Sequence, residues 1–176
     1  MDPLSLDTLG HHLQNLRRER GWSLSQMAAA AGIAKSNLSR LEQGCGNPTL
    51  DTLWRLAVQL EVPFGTLVAP IRAPLGEDGV QVMLIDQGQD KPRVDAYWMR
   101  CAPYTERRAE PHTRGARESL TLISGWLKAG PEGDTHALRP GDTLTFAADQ
   151  PHTYVTRENW ATLMLSVIYA APGENP

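Results

Sequence analysis

Gly21-Trp22-Ser23-Leu24-Ser25-Gln26-Met27-Ala28-Ala29-Ala30-Ala31-Gly32-Ile33-Ala34-Lys35-Ser36-Asn37-Leu38-Ser39-Arg40-Leu41-Glu42-Gln43-Gly44 reads as two short helices joined by a glycine turn. Ser23 and Gln26 have the spacing of a capping box, in which the serine oxygen accepts from the Gln26 N–H while the glutamine side chain reaches back. A helix is expected from there to Ala31, with Leu24, Met27 and Ala28 inward and its alanines short enough for a neighbour to approach. Gly32 stops it, and a further helix from Lys35 to Gln43 ends at Gly44. Leu38 and Leu41 fall on one side of that helix. Lys35, Ser36, Ser39, Arg40 and Gln43 fall on the other, leaving one polar arc free.

Leucines 6, 9, 13 and 16 mark one face of a preceding helix that ends at Gly21. The basic residues Arg17, Arg18 and Arg20 then occupy its last turn, where cations suit the negative end of the helix dipole. After Asn47-Pro48-Thr49 another helix buries Leu50, Leu53, Leu56 and Leu60, and Pro63 forbids its continuation. Helix, glycine turn and helix at this length is the arrangement that inserts its second helix into the DNA major groove. Lys35, Ser36, Asn37, Ser39 and Arg40 are the expected DNA contacts, with Gln26 at the start of the preceding helix turning its backbone N–H to a phosphate. A helical packet that binds protein is the plain alternative.

The chain has 176 residues and a formal net charge of -3. In residues 1–70, Arg17, Arg18, Arg20, Lys35, Arg40 and Arg55 balance Asp2, Asp7, Glu19, Glu42, Asp51 and Glu61, so the remainder carries the whole -3. DNA contact must therefore come from placement of a few charges rather than bulk attraction. The N-terminus lacks a basic stretch followed by an apolar run, and residues 163–171 are too short to span a bilayer. We expect a cytoplasmic protein without membrane association. Cys45 and Cys101 show neither zinc-site spacing nor disulfide-scaffold density.

Composition changes between Pro63 and Gly79, so residues 1–70 are expected to form the helical domain, 71–79 a linker and 80–171 a β domain. From Val80 the apolar residues alternate: Val80, Val82 and Leu84, then Val94, Ala96 and Trp98, then Leu120 and Leu122, then Leu163, Leu165 and Val167. Short strands with turns at Ser124-Gly125, Pro131-Glu132-Gly133 and Pro140-Gly141-Asp142 predict a sandwich or jelly-roll barrel. Trp126 and Trp160 read as core or pocket wall. The fold class expected is thus α + β in two domains, about five helices followed by a β barrel.

Gly21 to Gln26, Gly32-Ile33, Leu38 to Gly44 and Asn47-Pro48-Thr49 together resemble the XRE-type helix-turn-helix of phage repressors and bacterial regulators over about sixty residues. Ala34 departs from the Ser or Thr cap usual there, at a cost of about 1 kcal/mol. Pro111-His112, Glu118 and Gly125 resemble the first cupin motif, and Pro140-Gly141-Asp142 with Phe146, Pro151 and His152 the second. That resemblance implies a jelly-roll barrel with His112, Glu118 and His152 turned inward as the surviving ligands for a divalent metal, and Arg114 in the place of the second histidine of the first motif. Two histidines and a carboxylate suit iron, or zinc with an open position. A cation at Arg114 would disfavour metal, so the expectation leans to a barrel without one.

Arg107, Arg108, Arg114 and Arg117 cluster with Glu106, Glu110 and Glu118, which reads either as a solvated loop or as an anion-capturing approach. The expected effector pocket is His112, Arg114, Glu118 and His152, with Arg114 as the main contact to a small anionic metabolite. An XRE reader followed by a cupin is the plan of small bacterial transcription regulators, and the Pro-His-x5-Glu block, the Phe-Ala-Ala-Asp-x-x-His block and the Trp54 helix look most like members assigned to sulfur utilisation. The resemblance implies a non-enzymatic regulator that binds an inverted-repeat DNA operator as a homodimer and senses a small effector. A cupin metalloenzyme fused to a DNA reader, or an antitoxin-like interaction protein, are the alternatives.

Overall fold

The capping box forms as the sequence requires: the Gln26 N–H donates to Ser23 Oγ at 3.2 Å, and the Ser23 N–H to Gln26 Oε1 at 2.9 Å. In the computed structural model, which describes residues 3–71, 73–76 and 79–170, this box opens α2 (Leu24–Ala30). It follows α1 (Pro3–Glu19) and precedes α3 (Lys35–Glu42), α4 (Leu50–Leu60) and α5 (Phe64–Val68). Gly21, Gly32 and Gly44 stand at positive φ between them, where a Cβ would strain the turn. Thr49 caps α4 by accepting from the Thr52 N–H at 3.1 Å, whereas Ala34 leaves α3 without a side-chain cap.

Leu9, Leu13, Met27, Ala28, Leu38, Leu41, Leu53, Leu56 and Phe64 form the helical core. Two features outside the leucine pattern bring α1 against α3. Gly10 is buried, and a Cβ there would stand 2.5 Å from the Leu41 carbonyl oxygen, so only glycine allows the approach. Arg17 is buried in a pair with Glu42 at the end of α3. Arg17 and Arg18 stand in the last turn of α1 as expected, but Arg17 also turns into the core, and Arg20, beyond the helix end, bonds Glu61 at 2.5 Å.

The chain divides into two compact units, Met1–Leu75 and Gly76–Pro176. The second is a jelly roll of two antiparallel sheets. One is five-stranded in the order β1-β2-β9-β4-β7 and the other four-stranded in the order β3-β8-β5-β6. The strands are β1 (Val80–Gln87), β2 (Val94–Cys101), β3 (Glu106–Ala109), β4 (Arg117–Ser124), β5 (Leu127–Pro131), β6 (His136–Leu138), β7 (Thr143–Ala147), β8 (His152–Thr156) and β9 (Ala161–Ile168).

On β4 and β9 the expected alternation faces inward. On β2 the phase is opposite: Asp95, Tyr97, Met99 and Cys101 are buried, while Val94, Ala96 and Trp98 are only half-buried. Both sets are largely apolar, so periodicity alone could not choose between them. Nor are Trp126 and Trp160 core. The Arg157 guanidinium lies 4.0 Å from the Trp126 ring centre, and Arg100 4.5 Å from that of the exposed Trp160.

Candidate functional site

The polar arc of α3 is exposed as its spacing required. Lys35, Ser36, Asn37 and Arg40 are open to solvent and Ser39 half-buried, while Leu38, Leu41 and Glu42 face the core. Gln26 is also exposed, but its backbone N–H, expected to face a phosphate, is already taken by Ser23. Beside α3 runs a groove of about 340 Å³ lined by Asn37, Arg40, Gly46, Asn47, Thr49 and Thr52, among others. Asn47, Thr49 and Thr52 were missed as surface residues of this face, because in the sequence they signal only the start of α4.

In the barrel, His112 precedes β4, Glu118 lies on β4 and His152 opens β8. The His112 N–H donates to the Ala148 carbonyl at 2.9 Å, and the Ala148 N–H to the Ala116 carbonyl at 2.9 Å, which fixes the approach of the first motif to the second. The three side chains converge. His112 Nε2 stands 2.7 Å and His152 Nε2 3.6 Å from Glu118 Oε1, and Tyr154 Oη donates to Glu118 Oε2. All four residues are buried.

Burial opposes the charge on Glu118, but the hydrogen bond to His112 and the nearby His152 outweigh it and hold the carboxyl well below its usual range. Burial lowers His112 below the ordinary imidazole value despite Glu118. In His152 the neighbouring Glu118 carboxylate overcomes burial and raises it. Burial, reinforced by the neighbouring carboxylate, pushes the Tyr154 hydroxyl well up, so it stays a donor.

These residues fit a divalent metal. Their ligand atoms all lie within 4.8 Å of one another. His152 Nδ1 sits 2.9 Å from the Gln150 carbonyl, an acceptor only, so Nδ1 donates there and Nε2 is the ring nitrogen turned inward toward Glu118. That buried Nε2 has no hydrogen-bond partner. Two imidazole nitrogens and a carboxylate oxygen are a donor set that zinc or ferrous iron accepts, and an ion there would offer open positions to a ligand.

Arg114 does not stand inside with them. It occupies the exposed turn of residues 113–115, which is pinned by the Gly115 N–H to Asp149 Oδ2 at 2.8 Å. Arg108 pairs with Glu132 at the surface, and Arg117 is exposed. Arg107 is the inward member of the cluster. On β3 it pairs in register with Tyr154, and Ala109 with His152, and directly opposed residues share a face. The cation near the cluster was therefore misassigned in the sequence, because only pairing with β8 shows which alternate residue of β3 faces inward.

The helix-turn-helix family HTH_3 matches residues 13–67. Over 81% of this chain and 83% of its own length, the HTH-type transcriptional regulator SutR of Escherichia coli strain K12 is 32% identical. The chain belongs to the HTH-type transcriptional regulators. A crystal structure of an HTH_3 family transcriptional regulator from Vibrio cholerae superposes with a TM-score of 0.86 and 25% identity, covering 97% of this chain and all of that one. A cupin_2 domain of an XRE family transcriptional regulator from Enterobacter cloacae aligns with 53% of this chain and 99% of its own, at 24% identity and a TM-score of 0.48. Among the described residues no helix is long and apolar enough to cross a membrane.

Proposed function

We propose that this regulator reads an inverted-repeat operator as a cytoplasmic homodimer and that its barrel is an effector sensor, not an enzyme. Residues 1–70 are the DNA reader, 71–79 the linker and 80–171 the sensing and dimerising part. The observation that carries the reading is the coexistence of an exposed polar helix face at Lys35, Ser36, Asn37, Ser39 and Arg40 with a buried His112–Glu118–His152 cluster in the second unit. One recognition helix reads too few bases for genomic specificity, so two copies should engage half-sites about 10 base pairs, or a multiple, apart. An effector that favours one arrangement of the paired readers shifts DNA affinity by the same coupling free energy that DNA exerts on effector binding.

The metal reading rests on the donor set. His112, Glu118 and His152 would hold zinc or ferrous iron, which would supply a Lewis-acid anchor for the effector. Selection of fragmented host genomic DNA on the purified full chain tests the regulator reading. Recovery of a few inverted repeats upstream of a coherent gene set supports it. Recovery of nothing above background, with and without cell extract as a source of effector, overturns it. A stoichiometric metal accompanied by substrate turnover would favour an enzyme instead.

A further inference from the structure

We propose that Arg107, not Arg114, receives the carboxylate of a small α-substituted carboxylic acid whose second donor atom engages the His112–Glu118–His152 cluster. The inference rests on reading the barrel as an effector sensor, and it names the chemistry of that effector.

Three observations carry it. Arg107 and Tyr154 are opposite one another on β3 and β8, and Tyr154 is buried with its hydroxyl on Glu118, so the Arg107 side chain enters the barrel on the cluster's side. Its neighbours Glu106 and Arg108 are exposed, as strand alternation requires. The second observation is the buried Nε2 of His152, which lacks a hydrogen-bond partner and faces the same interior.

Third, Arg107 and His152 are diagonal neighbours across the strand pair, a separation of about 7–8 Å between backbones. Two long side chains reaching inward from that spacing leave room for only a few ligand atoms between them. A guanidinium fork matches a carboxylate with two parallel N–H···O bonds. The cluster suits a hydroxyl, carbonyl or amine oxygen or nitrogen one carbon away.

The test is calorimetric titration of the full chain, supplied with one equivalent of Co2+, with glycolate, oxalate and acetate, followed in parallel by the cobalt visible spectrum. Glycolate and oxalate should bind and perturb the spectrum, and acetate, which lacks the second donor, should bind at least about tenfold more weakly. Arg107→Ala should weaken glycolate by about tenfold or more, the scale of one charged hydrogen bond, with Co2+ uptake intact. Arg107→Lys should recover part of the loss, which also guards against a misfolded alanine variant, and Arg114→Ala should bind like the parent. Parental binding by both Arg107 variants, loss of binding in Arg114→Ala, or no binding of any acid to the parent overturns the proposal. Operator affinity separates it from the reading beneath it. An acid held by Arg107 that leaves DNA affinity unchanged sinks the sensor and keeps the site, whereas operator recovery without acid binding keeps the regulator and sinks the site.

Discussion

Arg17 on α1 and Glu42 at the end of α3 form a bidentate pair, Nε to Oε1 at 2.6 Å and Nη2 to Oε2 at 2.7 Å, closed off from solvent. The remaining Arg17 donor, Nη1, reaches the Trp22 carbonyl at 2.6 Å, and Gln14 donates to Glu42 Oε2 at 3.3 Å. The hydrogen bond to Glu42 raises the Arg17 pKa further, against the opposing effect of burial. The pair thus ties the DNA-facing helix to α1 and to the loop before α2. Removing one partner leaves the other charge buried, so Arg17→Ala should cost about 3–5 kcal/mol in urea unfolding of the full chain. Replacing both residues by apolar ones of similar size should cost far less. A loss in the single variant below about 1 kcal/mol would show that the pair does not hold α3.

Gly10→Ala places a methyl group against backbone atoms of Leu41, Glu42 and Gly44, none of which can rotate away. We expect a loss of about 1–3 kcal/mol from overpacking, together with weaker operator binding because α3 must shift. Unchanged stability and DNA affinity would contradict the close approach.

On the DNA face, Arg40→Ala and Lys35→Ala should each weaken binding by about 1–3 kcal/mol if they contact bases, with relaxed preference at one position. If they contact phosphate instead, binding should weaken uniformly, with a smaller salt slope. Gel-shift titration at several salt concentrations distinguishes these. Parental affinity in both variants would remove α3 from the interface.

The two thiols should behave oppositely. Burial pushes Cys101 up to about 12, despite the counteracting charge of Arg107, while Cys45 is exposed. A thiol reagent at pH 8 should label one equivalent in the native chain, two after denaturation, and none in native Cys45→Ser. The raised Cys101 pKa also favours the folded state fully below the unfolded thiol's pKa of about 8.5, and this contribution declines as pH rises from there towards 12. Rapid native labelling of two thiols would refute the buried position.

Equilibrium dialysis against Zn2+ or Co2+ should find one ion per chain, lost in His112→Ala, Glu118→Ala and His152→Ala. Retention in all three variants would place the metal elsewhere.

The local signals were sufficient for the helices: the Ser23/Gln26 box, the glycine stops and the Pro48-Thr49 start each fix a boundary through contacts within a few residues. Alternation likewise marked the inward residues of β4 and β9, and the resemblance to the cupin motifs singled out His112, Glu118 and His152, whose ligand atoms lie within 4.8 Å of one another. Three features needed the folded chain. Arg107 faces inward and Arg114 outward because of strand pairing with β8, which lies about 45 residues away along the chain. Asp95 is buried because Tyr97 and Tyr169 donate to its Oδ2 at 3.0 and 2.8 Å, the second from 74 residues away. Arg17 and Gly10 matter only because α3 returns to α1. Periodicity and capping act through neighbours in sequence, so the sequence determined the elements and their order. Which face a β residue shows and which charges meet depend on long-range register and close approach, and those were decided by the tertiary structure.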